Sequence, residues 1–363
     1  MKRYCSLFLA VLILLLSLTG CTPELHERLL ISAIGVDLAD DGYRITVRAA
    51  PSLEGEAELC LSGEGKTVPE ALDHIALLSG QQPLYSHNTM IIFGMACAER
   101  GLDACIDFFI RHYDARPTVQ LFLSESTAED ILIPAEETSN WTSRQLAQLA
   151  KSETFSGLTI SVNLLDFVNQ IYGLSGSALL PVLRQAETPE LCGTGLLKGS
   201  VFQQMLSDSA IQGYLTLAGQ LQAGTISVWD GEYGEVSITT NETWSAIHFT
   251  GTEEAPRFSI EIQTEGEISS VSNGTGQLDN TAFSRLEQAY ASVVFQNIQD
   301  YLAASVYAAG IDASALCRSV LRDAPEVWKA VSYDTEAFLQ NAAFDISTDA
   351  KITRVEKEDR PYF

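Results

Sequence analysis

Basic residues are scarce in this sequence. Lys and Arg number 22 against 47 Asp and Glu, a formal charge of −25 over 363 residues. Nucleic-acid binding depends on Lys and Arg neutralising phosphates, so this balance argues against a nucleic-acid partner. It also disfavours broad adhesion to an anionic lipid surface. Long apolar runs are missing too: a spanning helix needs about 20 consecutive apolar residues, and nothing after Leu18 approaches that. There is no GxSxG elbow of the kind that presents a nucleophilic serine. The five histidines, His26, His74, His87, His112 and His248, form no HExxH and no i, i+4 pair, so no metal site is expected. His87 reads as a structural histidine with its hydrogen bonds satisfied. Among so many acids carboxylate pairs arise by chance, and none stands out as a catalytic dyad. No catalytic residue, metal ligand or cofactor is assigned.

Cysteine is present but forms no framework. Of seven, Cys5 and Cys21 lie in the N-terminal segment, leaving Cys60, Cys97, Cys105, Cys192 and Cys317. An odd set at irregular spacing fits neither a disulfide scaffold nor a zinc motif. Cys97 and Cys105 are eight residues apart. On one continuous helix they would stand about 12 Å apart along the axis, beyond the roughly 7 Å between Cα atoms that a disulfide tolerates. The thiols read as small buried hydrophobes.

The N-terminus carries the most specific signal. Lys2 and Arg3 precede an uncharged apolar run from Leu7 to Leu18, the form of a cleavable signal peptide. It ends in Leu18-Thr19-Gly20-Cys21, the aliphatic-small-small-Cys pattern of a bacterial lipobox. Cleavage before Cys21 and attachment of a diacylglyceryl group to its thiol would anchor the chain by fatty acyl chains such as palmitate. Two chains hold firmly where one holds marginally, since each buried CH₂ contributes about 0.8 kcal/mol. Loss of Lys2 and Arg3 with residues 1–20 would take the charge from −25 to −27.

The remaining chain reads as α+β. Strands are expected at Leu29–Val36 and Tyr43–Ala49, joined at Asp40-Asp41-Gly42. In the second, Tyr43, Ile45, Val47 and Ala49 alternate with Arg44, Thr46 and Arg48, the period of a half-buried strand. Helices are expected at Val68–Leu78, Leu102–Tyr113, Ser139–Leu149 and Ser161–Ile171, a short one after Thr127, and strands at Met90–Phe93 and Val119–Leu123. Composition shifts at Thr188-Pro189, read as a linker. A helix at Leu206–Leu217 comes next, then strands at Thr225–Trp229, Val236–Thr240, Thr243–Phe249 and Arg257–Thr264. One long helix spans about Asn280 to Ala309, followed by short helices and a closing strand, Phe344–Val355. The expected organisation is a signal peptide at 1–20, a mixed α/β domain at 21–188, and an α+β domain at 189–363 with antiparallel strands and a long helix. Gly63-Glu64-Gly65-Lys66-Thr67 imitates the end of a P-loop, but Cys60 stands where GxxxxGK[ST] requires its first glycine. It reads as a strand–turn–helix junction.

Taken in order, these segments resemble the C subunit of nutrient germinant receptors of endospore-forming bacteria, the Ger(x)C (GerAC-type) lipoprotein family. The resemblance rests on the lipobox with Cys21, Leu30-Ile31-Ser32-Ala33-Ile34-Gly35-Val36-Asp37, Gly65-Lys66-Thr67-Val68 with Glu70-Ala71-Leu72, and Leu84-Tyr85-Ser86-His87. It continues through Asp107-Phe108-Phe109-Ile110-Arg111 with Arg116-Pro117, Ala128–Leu132, Gly195 with Val201-Phe202, Gly213-Tyr214-Leu215, and Pro325–Lys329. Thr22-Pro23 depart from the Trp-Asp common in the family after the lipid cysteine. The resemblance implies a non-catalytic lipoprotein held by Cys21 on the outer face of the cell or spore inner membrane. It would assemble there with integral-membrane A and B subunits and help nutrients trigger spore germination; nutrient contact by this subunit is left open. The competing reading is a solute-binding lipoprotein of a transporter, which requires two similar α/β lobes around a cleft.

Overall fold

The computed structural model describes residues 28–50, 58–112, 116–133, 141–273 and 278–353; Cys21, the signal segment and Ser139 lie outside them. The first half is organised by β1 (Arg28–Ala39), paired antiparallel with β2 (Gly42–Ala49), which pairs in turn with β3 (Leu59–Gly65). Helix α1 (Val68–Ser79) returns to the start of β1, where β4 (Gln82–Leu84) lies parallel to Arg28–Leu30. Strand β5 (Met90–Gly94) follows, then α2 (Met95–Arg100), α3 (Asp103–Arg111), β6 (Gln120–Ser124), α4 (Ala128–Leu132), α5 (Ser143–Leu149), α6 (Glu153–Ser156) and α7 (Leu164–Ile171). Strands β7 (Ser177–Arg184), β8 (Glu190–Lys198) and β9 (Val201–Leu206) complete one mixed sheet, ordered β3-β2-β1-β5-β6-β7-β8-β9 with β4 beside β1. Thr188-Pro189 falls in the turn of the β7–β8 hairpin, so the sheet runs across the expected linker.

Helices cover both faces of this sheet. Ile34, Val36, Ile91 and Phe93 point into the core under α1, α2 and α3, whereas Ala33, Met90, Ile92 and Phe122 meet α4 and α5. That double burial makes β5 apolar at every position. It also corrects the half-buried reading of β2: Thr46 and Arg48, on its supposedly wet face, are buried. Strands β7 to β9 had no sequence expectation, because β7 is buried from Ser177 to Leu183 and shows no alternation. Helix α7, expected from Ser161, starts at Leu164 behind an Asn163 cap; the residues before it run beside β6, with the Leu121 amide bonded to the Val162 carbonyl at 2.9 Å.

The P-loop-like stretch is resolved as packing. A Cβ on Gly65 would lie 2.5 Å from the Ala71 nitrogen, and one on Gly63 2.6 Å from the Ala71 oxygen. Both glycines let α1 settle on β3, while Thr67 caps the helix and the Glu70 carboxylate accepts from the Lys66 amide at 2.8 Å.

The second half begins with α8 (Asp208–Leu217) and a four-stranded sheet of β10 (Thr225–Asp230), β11 (Gly234–Phe249), β12 (Arg257–Val271) and β13 (Ala343–Ile352). The two strands expected within Val236–Phe249 are one, with an irregularity between Thr240 and Glu242. Strand β13 joins β12 in parallel. Helix α9 (Asn280–Tyr301), extended through a π-turn at Leu302–Tyr307, buries Leu286, Tyr290, Val294 and Ile298 against this sheet and α8. The α8–α9 crossing is close enough that a Cβ on Gly213 would fall 2.0 Å from the Asn297 oxygen. Short helices α10 (Leu316–Asp323), α11 (Pro325–Val331) and α12 (Thr335–Gln340) lead into β13. The fold is α+β, as the pattern of segments predicts.

Candidate functional site

Cys21 stands seven residues before Arg28, the first residue of β1. Around that strand start lies a cleft of about 530 Å³ lined by Arg28, Asp73, Leu77, Gln82, Tyr85 and His112, among others. The His112 ring meets Tyr85 edge-on at 4.9 Å and Phe108 at 5.0 Å. His87, read as a structural histidine, is exposed at the end of the short 3-10 turn Tyr85–His87. Among the described residues no group of three or more His, Cys, Asp or Glu is placed to hold a metal ion. No helix among them is long and apolar enough to cross a membrane.

Two of the segments that carried the resemblance, Leu30–Asp37 and Ala128–Leu132, serve the scaffold. Asp37 is buried, and its carboxylate accepts from the Ala128 and Glu129 amides at 2.7 and 2.9 Å, at the start of α4. Burial pushes its pKa up, and the two amides pull the other way. Gly35 and Gly94 make the arrangement possible: a Cβ at 35 would sit 2.9 Å from the Ala128 Cβ, and one at 94 would sit 2.0 Å from Asp37 Oδ1. The Ala33–Asp37 segment is thus the seat of α4.

A second buried cluster was invisible in the sequence. Arg48, 4 % exposed, pairs with Glu58 at 2.8 Å, stacks 3.9 Å over the Trp141 ring, and donates to the Trp141 carbonyl at 3.1 Å. Glu58 accepts from the Ser143 amide and hydroxyl, each at 3.0 Å, and from the Ser32 hydroxyl at 3.0 Å. The cluster ties β1, β2, the residue before β3 and the start of α5 together. Its partners are spread over 111 residues of chain, so no local pattern announces it.

Cys97 and Cys105 also depart from expectation. They occupy two helices, because the chain breaks at Gly101 with φ 112°. The turn brings the two thiols into hydrogen-bonding contact, with the Tyr43 hydroxyl beside Cys105; that hydrogen bond and burial push Cys97 well above the ordinary thiol range. In the second half, the Asp312 carboxylate accepts from the amides of Ser314, Leu316 and Cys317 at 2.7–2.9 Å, seating the start of α10. These clusters hold the body together, and none of their residues lines the cleft at the start of β1.

Comparison with known proteins places this architecture. The model of the spore germination protein N-terminal domain matches residues 22–185, and that of the spore germination B3/GerAC-like C-terminal domain matches residues 192–356. The crystal structure of the GerBC protein superposes with a TM-score of 0.62 at 16 % identity, covering 88 % of this chain and 97 % of that one. No curated protein matches. With residues 22–185 and 192–356 accounted for by its two domain models, the chain belongs to the GerAC-like family of spore germination proteins.

Proposed function

We propose that this protein is the C subunit of a nutrient germinant receptor, acting in spore germination as a non-catalytic component held at the membrane by a lipid on Cys21. The match of both family domains, in order and over residues 22–185 and 192–356, carries this reading. The lipobox Leu18–Cys21 supports the anchor. The anchored body would sit on the outer face of the membrane beside integral-membrane A and B subunits, leaving its acidic surface to water and partners.

A transporter's solute-binding lipoprotein fares worse. It needs two similar lobes, whereas here one mixed sheet runs from β3 to β9 and a different unit, a four-stranded sheet under α9, follows. The anchor is tested by mass analysis of the mature N-terminus and membrane fractionation of the parent beside Cys21→Ala. A diacylated cysteine with loss of membrane retention in the variant is expected. An unmodified Cys21, or unchanged retention, would refute the anchor.

A further inference from the structure

The first strand acts as a ruler. Seven residues of chain span at most about 25 Å in any conformation, so a lipid on Cys21 keeps Arg28 within that distance of the bilayer surface. Ala39, at the other end of β1, lies eleven residues on, about 36 Å at 3.3 Å per residue.

Three elements end where β1 begins. Helix α1 terminates at Gly80 in the left-handed conformation, β4 pairs with Arg28–Leu30, and α3 runs out at Arg111 and His112. The last turn of α1 carries Leu77 and Leu78, 80 % and 66 % exposed, while Val68, Ala71, Leu72 and Ile75 take its buried side. Leu77 borders the cleft that holds Arg28 and His112. Charge at this pole is mixed: Arg28 and Asp73 share the cleft, and Arg111 pairs with Asp107 at 2.7 Å. The outer face of the four-stranded sheet is acidic on balance, exposing Glu235, Glu261, Glu265, Asp345 and Asp349 against Arg257, which pairs with Asp345 at 2.9 Å, and Lys351.

We propose that the pole at the start of β1 is the membrane-contacting face, with Leu77 and Leu78 entering the interfacial layer of the phospholipid bilayer and the adjoining cleft opening on the lipid headgroups. This rests on the reading of Cys21 as the lipid anchor and goes beyond it by fixing how the body stands. Two observations favour lipid as the occupant. The tether leaves from this pole, which brings the leucines to the bilayer more often than any residue at the far end of β1. Anionic lipid also repels the strongly acidic body, so the orientation that turns the mixed-charge pole down and the acidic sheet face to water is the one of lowest electrostatic cost. Exposed leucines at such a surface remove apolar area from water, the ordinary driving force for interfacial binding.

The test uses the mature lipidated protein bound to vesicles of phosphatidylglycerol and phosphatidylethanolamine brominated high on the acyl chains. Leu77→Trp is compared with Asp41→Trp, placed in the exposed turn after β1, where the Asp41 side chain is 86 % exposed. With the emission of the parent protein, which carries four tryptophans of its own, subtracted in each lipid, bromine should quench the tryptophan introduced at position 77 and leave that at position 41 emitting as in unbrominated vesicles. Co-sedimentation with no quenching at position 77, or with equal quenching at both positions, overturns the proposed face while leaving the anchor intact. Failure of the Cys21-intact protein to co-sediment overturns both.

Discussion

Replacing Arg48 by alanine offers a demanding check on how the first half is held together. The guanidinium is buried with three partners: the Glu58 carboxylate at 2.8 Å, the Trp141 ring at 3.9 Å and the Trp141 carbonyl at 3.1 Å. Its removal leaves the Glu58 carboxylate, only 12 % exposed, with the serine donors alone. Breaking a buried pair from one side costs about 3–5 kcal/mol, and the lost stacking with a desolvated ring belongs within that figure at about 2 kcal/mol. Since whole domains are stable by only about 5–15 kcal/mol, Arg48→Ala should lose a large share of the stability of its half. Urea unfolding followed by circular dichroism reads the loss as a lowered midpoint at unchanged slope. Arg48→Met combined with Glu58→Leu removes both charges and should regain most of it, because apolar replacements of similar volume often match a buried pair. A loss below about 1 kcal/mol in the alanine variant, the level of an exposed pair, would refute the account of this cluster.

Other consequences follow from particular contacts. Arg285 and the Glu232 and Tyr233 amides hold Asp230 at about 2, below its ordinary 3.8; Arg322 and the Phe249 amide hold Asp323 at about 2 as well. A depressed folded value means stabilisation present above about pH 4 and lost as pH falls through 2, so Asp230→Asn should flatten that acid limb of the urea midpoint. Unaltered acid dependence would contradict it. Gly65→Ala should cost about 1–3 kcal/mol by forcing a Cβ onto the Ala71 nitrogen, whereas Lys66→Ala, at an exposed residue, should stay within about 0.5 kcal/mol; thermal melts compare the two. Cys97, Cys105 and Cys317 are buried and Cys60 and Cys192 half-buried, so brief alkylation of the native protein should mark only the latter two, with all five marked in urea. Rapid native labelling of Cys97 or Cys105 would contradict the packing.

Most elements were legible because one rule controlled each. Val68, Leu72, Ile75 and Leu78 share a helical spacing, and the first three are the buried side of α1, whereas Leu78 in its last turn is exposed; of the stripe Leu286, Tyr290, Val293, Ile298, Leu302 and Val306, all are buried along α9 and its π-turn except Val293, which yields the buried place to Val294. Strand β7 was illegible because a strand buried on both faces loses its period, and β8 because Gly193 and Gly195 interrupt it. The reading of Arg44, Thr46 and Arg48 as a wet face failed because α4 and α5, far along the chain, cover two of the three. A single helix through Cys97 and Cys105 failed at Gly101, where a positive φ turns the chain between α2 and α3. The lipobox pattern is a matter of local chemistry alone, so the proposed anchor at Cys21 is read with no structural context. The polar clusters around Asp37, Arg48 and Asp312 depend on partners distant in sequence, and only the fold assembles them.

The most direct test of the receptor-subunit reading is nutrient-triggered dipicolinate release from spores lacking this gene, beside the parent strain and a strain complemented with the intact chain. The account predicts loss of the response to one class of nutrient, restored by the intact chain, with a normal response to a trigger that bypasses the receptors. A normal response to every nutrient in the deletion strain would contradict it.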